Sequence, residues 1–152
     1  MDKNHEHYMG LAIEEAKKAG TEGEIPVGAV LVDENGVILA KSRNQMIQTS
    51  DPTAHAEIIA IRKAGQKIRN YRLLNTTLYV TIEPCLMCMG AMVHARISSL
   101  VVGAKDPKWG AAGSLYDLSA DLRLNHRIEV VSGVMEAQAR KLMQNFFQKK
   151  RK

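Results

Sequence analysis

Apolar residues recur at helical spacing from Met9 to Ala19: Met9, Ala12, Ile13 and Ala16 share one face, with Glu14, Glu15, Lys17 and Lys18 between them. Gly20 stands where it caps such a helix. Pro26 to Val32 is apolar and β-rich, Asp33-Glu34-Asn35-Gly36 carries turn chemistry, and Val37 to Ala40 resumes the apolar pattern, so a β-hairpin is predicted. Asp51-Pro52-Thr53 then introduces a helix bearing Ile58, Ile59 and Ile61 towards Gly65, with the proline in its first turn.

Thr77 to Ile82 reads as a short strand, and Pro84 starts a helix running to about Ala95. Leu100 to Gly103 predicts a buried strand, Lys105 to Leu115 a loop rich in Gly, Lys and Asp, and Ile128 to Val131 a last strand before a helix over Val134 to Lys150. Strands alternating with helices predict an α/β sheet layered between helices. No repeat, linker or low-complexity tract divides the chain, and 152 residues suit a single domain over 1–152.

Composition narrows the class. Hydrophobic residues at 45% and charged residues at 24% are those of a soluble globular protein, which argues against disorder and fibrous folds. The longest apolar runs, near Val27 to Val32 and Leu100 to Ala104, fall far short of the roughly 20 residues that span a bilayer. The start, Met1-Asp2-Lys3-Asn4-His5, leads into no apolar signal segment, so a cytoplasmic location is the expectation. The formal charge of +5 suits an anionic partner such as a phosphate backbone, although charge alone does not demand one.

The 2 cysteines both lie in Pro84-Cys85-Leu86-Met87-Cys88, downstream of His55-Ala56-Glu57, so they cannot staple distant parts of the chain. Zinc that does chemistry keeps three protein ligands and an open fourth position, and His55, Cys85 and Cys88 supply three. Residues at i and i+3 share one helix face, so both thiols are able to lean onto one ion, and a helix start lowers their pKa. His55 and Glu57, two apart, do not share a helix flank. The reacting centre therefore has to lie off the helix end, and two helix N-termini are predicted to meet at one zinc. Glu57 is then placed to move the protons of water without binding the metal.

Two other readings use the same residues. Cys-x-x-Cys among strands and helices suits a thioredoxin-like redox pair. A structural zinc site would recruit a fourth ligand from His5, His7, His94 or His126, although His94 suits the surface of the helix after the cysteines. Met87, Met89 and Met92 read as core filling. Neither alternative gives Glu57 a task.

His55-Ala56-Glu57 with Pro84-Cys85-Leu86-Met87-Cys88 resembles the zinc-dependent nucleobase and nucleoside deaminase superfamily, whose signature and roles are established in general form. Ile25-Pro26-Val27-Gly28-Ala29-Val30, Asp51-Pro52-Thr53-Ala54-His55-Ala56-Glu57, Asn70-Tyr71-Arg72-Leu73, Glu83-Pro84-Cys85 and Gly110-Ala111-Ala112-Gly113-Ser114-Leu115 extend the likeness. Together they resemble the bacterial tRNA-specific adenosine deaminases of the TadA type, from about Tyr8 to Phe147.

The resemblance implies a three-layer α/β/α cytidine-deaminase-like fold with a central, mostly five-stranded mixed sheet. It implies one Zn2+ per subunit on His55, Cys85 and Cys88, with Glu57 as proton shuttle for zinc-activated hydroxide. Asn44 matches a residue that contacts the target base, and the Asp106 to Lys108 loop one that approaches the RNA. Read without the family, Asn44 is a turn residue and Lys108 a solvated charge. The implied reaction is hydrolytic deamination of adenosine to inosine at the wobble position of an arginine tRNA, by a homodimer that binds the anticodon stem-loop. A deaminase of free guanine, cytosine or cytidine shares the zinc motif and stays open, as does a non-catalytic zinc or redox module. Ile82 replaces an expected leucine, and Trp109 a commonly smaller residue. The basic end Lys149-Lys150-Arg151-Lys152 suits either a phosphate grip or a helix C-terminus.

Overall fold

Val30 and Leu31 are neighbours in one strand and both fully buried, yet they belong to different cores. Successive strand residues point to opposite faces, so a sheet covered on both sides reads as an unbroken apolar run. In the computed structural model, which describes residues 3–150, that sheet has five strands: β1 (Gly28–Val32), β2 (Ile38–Arg43), β3 (Thr77–Ile82), β4 (Ser99–Ala104) and β5 (Glu129–Ser132). Their order is β2-β1-β3-β4-β5. β1 runs antiparallel to β2 and β3, whereas β3, β4 and β5 are mutually parallel, so the sheet is mixed.

The helices are α1 (Lys3–Thr21), α2 (Met46–Thr49), α3 (Ala56–Ile68), α4 (Leu86–Ala95) and α5 (Glu136–Lys150). Ala56, Ala60 and Ala64 of α3 and Met89, Met92 and Val93 of α4 pack against Leu31, Val80 and Val102 on one face. Met9, Ala12 and Ile13 of α1 close the other with Val30, Tyr79 and Val101. Three layers result, as the family resemblance implied. Small residues set the spacing: a Cβ on Gly28 would lie 1.9 Å from the Ala12 oxygen and 2.6 Å from the Ala16 nitrogen, so α1 rests directly on β1.

Several boundaries differ from the sequence expectation. α1 begins six residues before Met9, because the polar-looking turn at its start packs on the sheet: His5 Nδ1 lies 2.8 Å from the Tyr79 hydroxyl and the Tyr8 ring 5.2 Å from the Tyr79 ring. Gly20 lies inside that helix rather than capping it. Pro52 lies outside α3, since Asp51 Oδ1 accepts from the Thr53 N–H (2.8 Å) and hydroxyl (2.7 Å) and turns the chain before the helix starts at Ala56. Lys149 and Lys150 close α5, with the Lys150 ammonium 5.6 Å from the Phe146 ring centre, while Arg151 and Lys152 lie outside the described residues. Among the described residues no helix is long and apolar enough to cross a membrane.

Candidate metal centre and active site

His55 and Cys85 occupy equivalent places in two different helices, each the N-cap residue of its own: His55 for α3 and Cys85 for α4. Both have extended backbone, with ψ of 152° and 178°, which turns their side chains off the helix end. An N-cap residue ordinarily spends its side chain on an unpaired helix N–H. His55 makes no such bond; Asn44, at the end of β2, caps α3 in its place, its Oδ1 accepting from Ala56 N–H at 2.8 Å. The imidazole is thereby left for the metal centre.

His55 Nδ1 lies 3.7 Å from Cys85 Sγ and 3.5 Å from Cys88 Sγ, and all three ligand atoms fall within 4.8 Å of one another. A tetrahedral zinc with Zn–N and Zn–S distances of about 2.0 and 2.3 Å demands N···S edges of about 3.6 Å. The donor set and its spacing therefore fit the ion. Among the described residues no further His, Cys, Asp or Glu joins this group, so the fourth position has no protein ligand. His5 bonds Tyr79, His126 Nε2 lies 2.7 Å from the Ile97 oxygen, and His94 is exposed at the end of α4. His7 is exposed on α1 and likewise outside the group, so among the described residues a structural four-ligand zinc lacks its donor.

Glu57 follows in the first turn of α3 and is 4% exposed. Burial raises its carboxyl to about 7, against the pull of its own backbone N–H and of His55, and the Cys88 thiol donates to it. Contact with the Cys88 thiol, working against burial and helped by His55, lowers Cys85 to about 4. Cys88 is pushed up by the same contact and by burial. The hydrogen bond to Cys85 raises His55. Cys85 is thus the readier thiolate of the two, and binding of a cation would require both sulfurs as thiolates.

The remaining candidates sit at the rim. Asn44 is buried, and its Nδ2 donates to the Ile25 oxygen at 3.2 Å while Oδ1 holds α3. Asp106 Oδ1 accepts from the backbone N–H groups of Lys108 (3.0 Å) and Trp109 (3.2 Å), which folds that loop into a tight turn with Lys108 and Trp109 exposed.

Two carboxylates missed in the sequence organise this rim. Glu83, 5% exposed and two residues before Cys85, accepts from the backbone N–H groups of Asp106 (3.1 Å), Ala112 (2.9 Å) and Ser114 (3.0 Å), and from the Ser114 hydroxyl. Burial works to raise its carboxyl, but these donors together hold it below the usual carboxylate range. Glu24, wholly buried, accepts from the N–H groups of Ile47 and Gln48 and so builds α2. The signal for Glu83 was its place at the end of an apolar strand, where a charge needs partners.

A mixed sheet whose helix starts deliver one imidazole and two thiols beside a buried glutamate defines a zinc hydrolase of the deaminase class. Residues 2–104 match the family model of the cytidine and deoxycytidylate deaminase zinc-binding region. The chain is similar to the tRNA-specific adenosine deaminase of Haemophilus influenzae, 53% identical over 96% of this chain and 84% of that one. It is 47% identical to the tRNA-specific adenosine deaminase of Bacillus subtilis over 97% of this chain and 91% of that one. Among solved structures, one from work on A-to-I editing by tRNA:A34 deaminases at the wobble position of transfer RNA superposes with a TM-score of 0.86 at 43% identity, covering 90% of this chain and 98% of that one. The chain belongs to the family of tRNA-specific adenosine deaminases.

Proposed function

We propose that this protein, acting as a single domain, converts adenosine to inosine in tRNA by hydrolysis, at the wobble position of an arginine tRNA. The observation that carries the reading is the buried Glu57 beside a three-ligand metal centre, since hydrolytic deamination needs an activated water and a group that carries protons between oxygen and nitrogen. His55, Cys85 and Cys88 would hold the zinc, which when bound would supply the Lewis acidity that makes water nucleophilic near neutral pH.

Glu57 performs the proton transfers. With its carboxyl raised to about 7, it is able both to accept and to release a proton at neutral pH. It takes one from the attacking water and delivers it to N1 of adenine as the C–O bond forms at C6. It then carries the second proton, from the hydroxyl now on C6, to the departing amine as the C6–N bond breaks, so water and adenosine become inosine and ammonia. Asn44 fixes the start of α3, and hence His55 and Glu57, while its second Nδ2 hydrogen serves the base. Asp106 shapes the loop that presents Lys108 to phosphate. Turning the base out of its stack costs least in a single-stranded loop, which favours the anticodon loop as substrate. The reading includes a cytoplasmic homodimer.

Zinc-loaded protein incubated with total bacterial tRNA should form inosine in tRNA, detected by mass spectrometry of the nucleosides. Parallel incubations with free guanine, cytosine and cytidine should release no ammonia. Deamination of a free base with tRNA untouched would replace this proposal, and no ammonia from any substrate would return the chain to a binding or redox module.

A further inference from the structure

We infer that Trp109 is a stacking platform for the nucleobase next to the deaminated adenosine, an inference that rests on the tRNA reading above. Trp109 is the chain's single tryptophan, and 70% of it is exposed. Its backbone is held firmly all the same. The Trp109 N–H donates to Asp106 Oδ1, Gly110 N–H donates to the Asp106 oxygen at 2.8 Å, and the Gly110 oxygen accepts from Leu115 (2.9 Å) and Tyr116 (3.1 Å). Gly110 is so tightly seated that a Cβ there would lie 2.4 Å from the Glu83 carboxyl carbon.

That anchorage fixes where the backbone carries the ring. Ala111 N–H donates to the Pro84 oxygen at 2.8 Å, so two residues after Trp109 the chain touches the residue preceding the metal ligand Cys85. Leu86, on the other side of Cys85, is exposed, as are Leu115 and Tyr116. Lys105 and Lys108 precede the aromatic residue in the same loop and are exposed too. An exposed π-face on an anchored backbone, with cations beside it and an open reaction centre nearby, is the arrangement that binds a single-stranded nucleic acid: the cations follow the phosphates and a neighbouring base stacks. A large apolar ring kept in water by a fixed backbone marks a contact surface, and the cations beside it choose an anionic polymer over a protein.

The single tryptophan makes the test direct. Titrating zinc-loaded protein with an anticodon stem-loop carrying inosine at the target position should quench Trp109 emission. Trp109→Ala should raise KM for the adenosine stem-loop about fivefold to a hundredfold with kcat largely kept, and Trp109→Phe should recover most of the loss. An abasic site beside the target should erase the difference between the parent and Trp109→Ala. Unquenched emission with unchanged KM, while the parent still makes inosine in tRNA, overturns the platform alone. A parent that makes no inosine in tRNA overturns the functional reading instead. A Trp109→Ala variant whose sedimentation shows loss of a dimer also overturns the platform, because the patch is then an interface between copies.

Discussion

Replacing Glu83 with glutamine removes the charge and one acceptor oxygen from a carboxylate that receives three backbone N–H groups and a hydroxyl. The least costly placement puts the amide nitrogen at the Oε1 position. There the Ser114 hydroxyl can turn to accept, and the Asp106 N–H alone faces another N–H. One orphaned amide costs about 1–3 kcal/mol, and the two surviving bonds at Oε2 lose their charge assistance, about 1 kcal/mol each. At the lower end of that sum, about 3 kcal/mol, hydrogen exchange at the Ala112 and Ser114 amides should quicken about a hundredfold. Thermal unfolding should fall by about 6–12 °C if the loop melts with the sheet. The effect has a definite pH sign. Because the folded carboxyl sits below the ordinary 4.5, its contribution is complete above that pH and is lost as pH falls through the folded value. The gap between parent and variant should therefore narrow in acid. Amide exchange within threefold of the parent at neutral pH would refute the latch.

Glu57→Gln should keep one zinc per chain by metal analysis yet lower the deamination rate by a factor of about 100 to 10,000; a rate within tenfold of the parent removes Glu57 from proton transfer. After chelation of the metal, iodoacetamide at pH 5–6 should modify Cys85, held at about 4, ahead of Cys88, which is pushed up and buried, and zinc should restore protection. Equal labelling by peptide mass mapping would contradict this difference between the two thiols. Gly28→Ala forces a methyl group into the α1 backbone, at a cost of about 3 kcal/mol or more, so melting should drop by about 6 °C or more; a melting point within about 2 °C of the parent would show that α1 can retreat from β1.

The strands and the long helices were legible because each carries its own signal: β1, β3 and β4 are apolar runs of five or six residues, and α3 and α4 follow turn-forming prolines. What escaped depends on partners distant in the chain. α2 is four residues with no buried side chain, and it exists because Glu24, 23 residues earlier, takes the Ile47 N–H. The early start of α1 rests on His5 meeting Tyr79, 74 residues away. No local window contains either fact.

The metal centre shows the same division within one site. His55, Cys85 and Cys88 are recognisable as a metal-holding group from residue type and spacing because zinc chemistry restricts which atoms serve and how close they stand. The residues that hold them there have no such restriction. Any acceptor could cap α3, and Asn44 does so from 12 residues upstream; any buried anion could gather the rim loop, and Glu83 does so across 31 residues to Ser114. Yet the supporting residues decide whether the ligands serve. If His55 capped its own helix its imidazole would be occupied, and if the loop were unlatched Lys108 and Trp109 would have no fixed position against the metal. Chemistry constrains the ligands locally, whereas the fold assigns the supports by proximity. A sequence therefore announces its reacting atoms more readily than the residues that aim them.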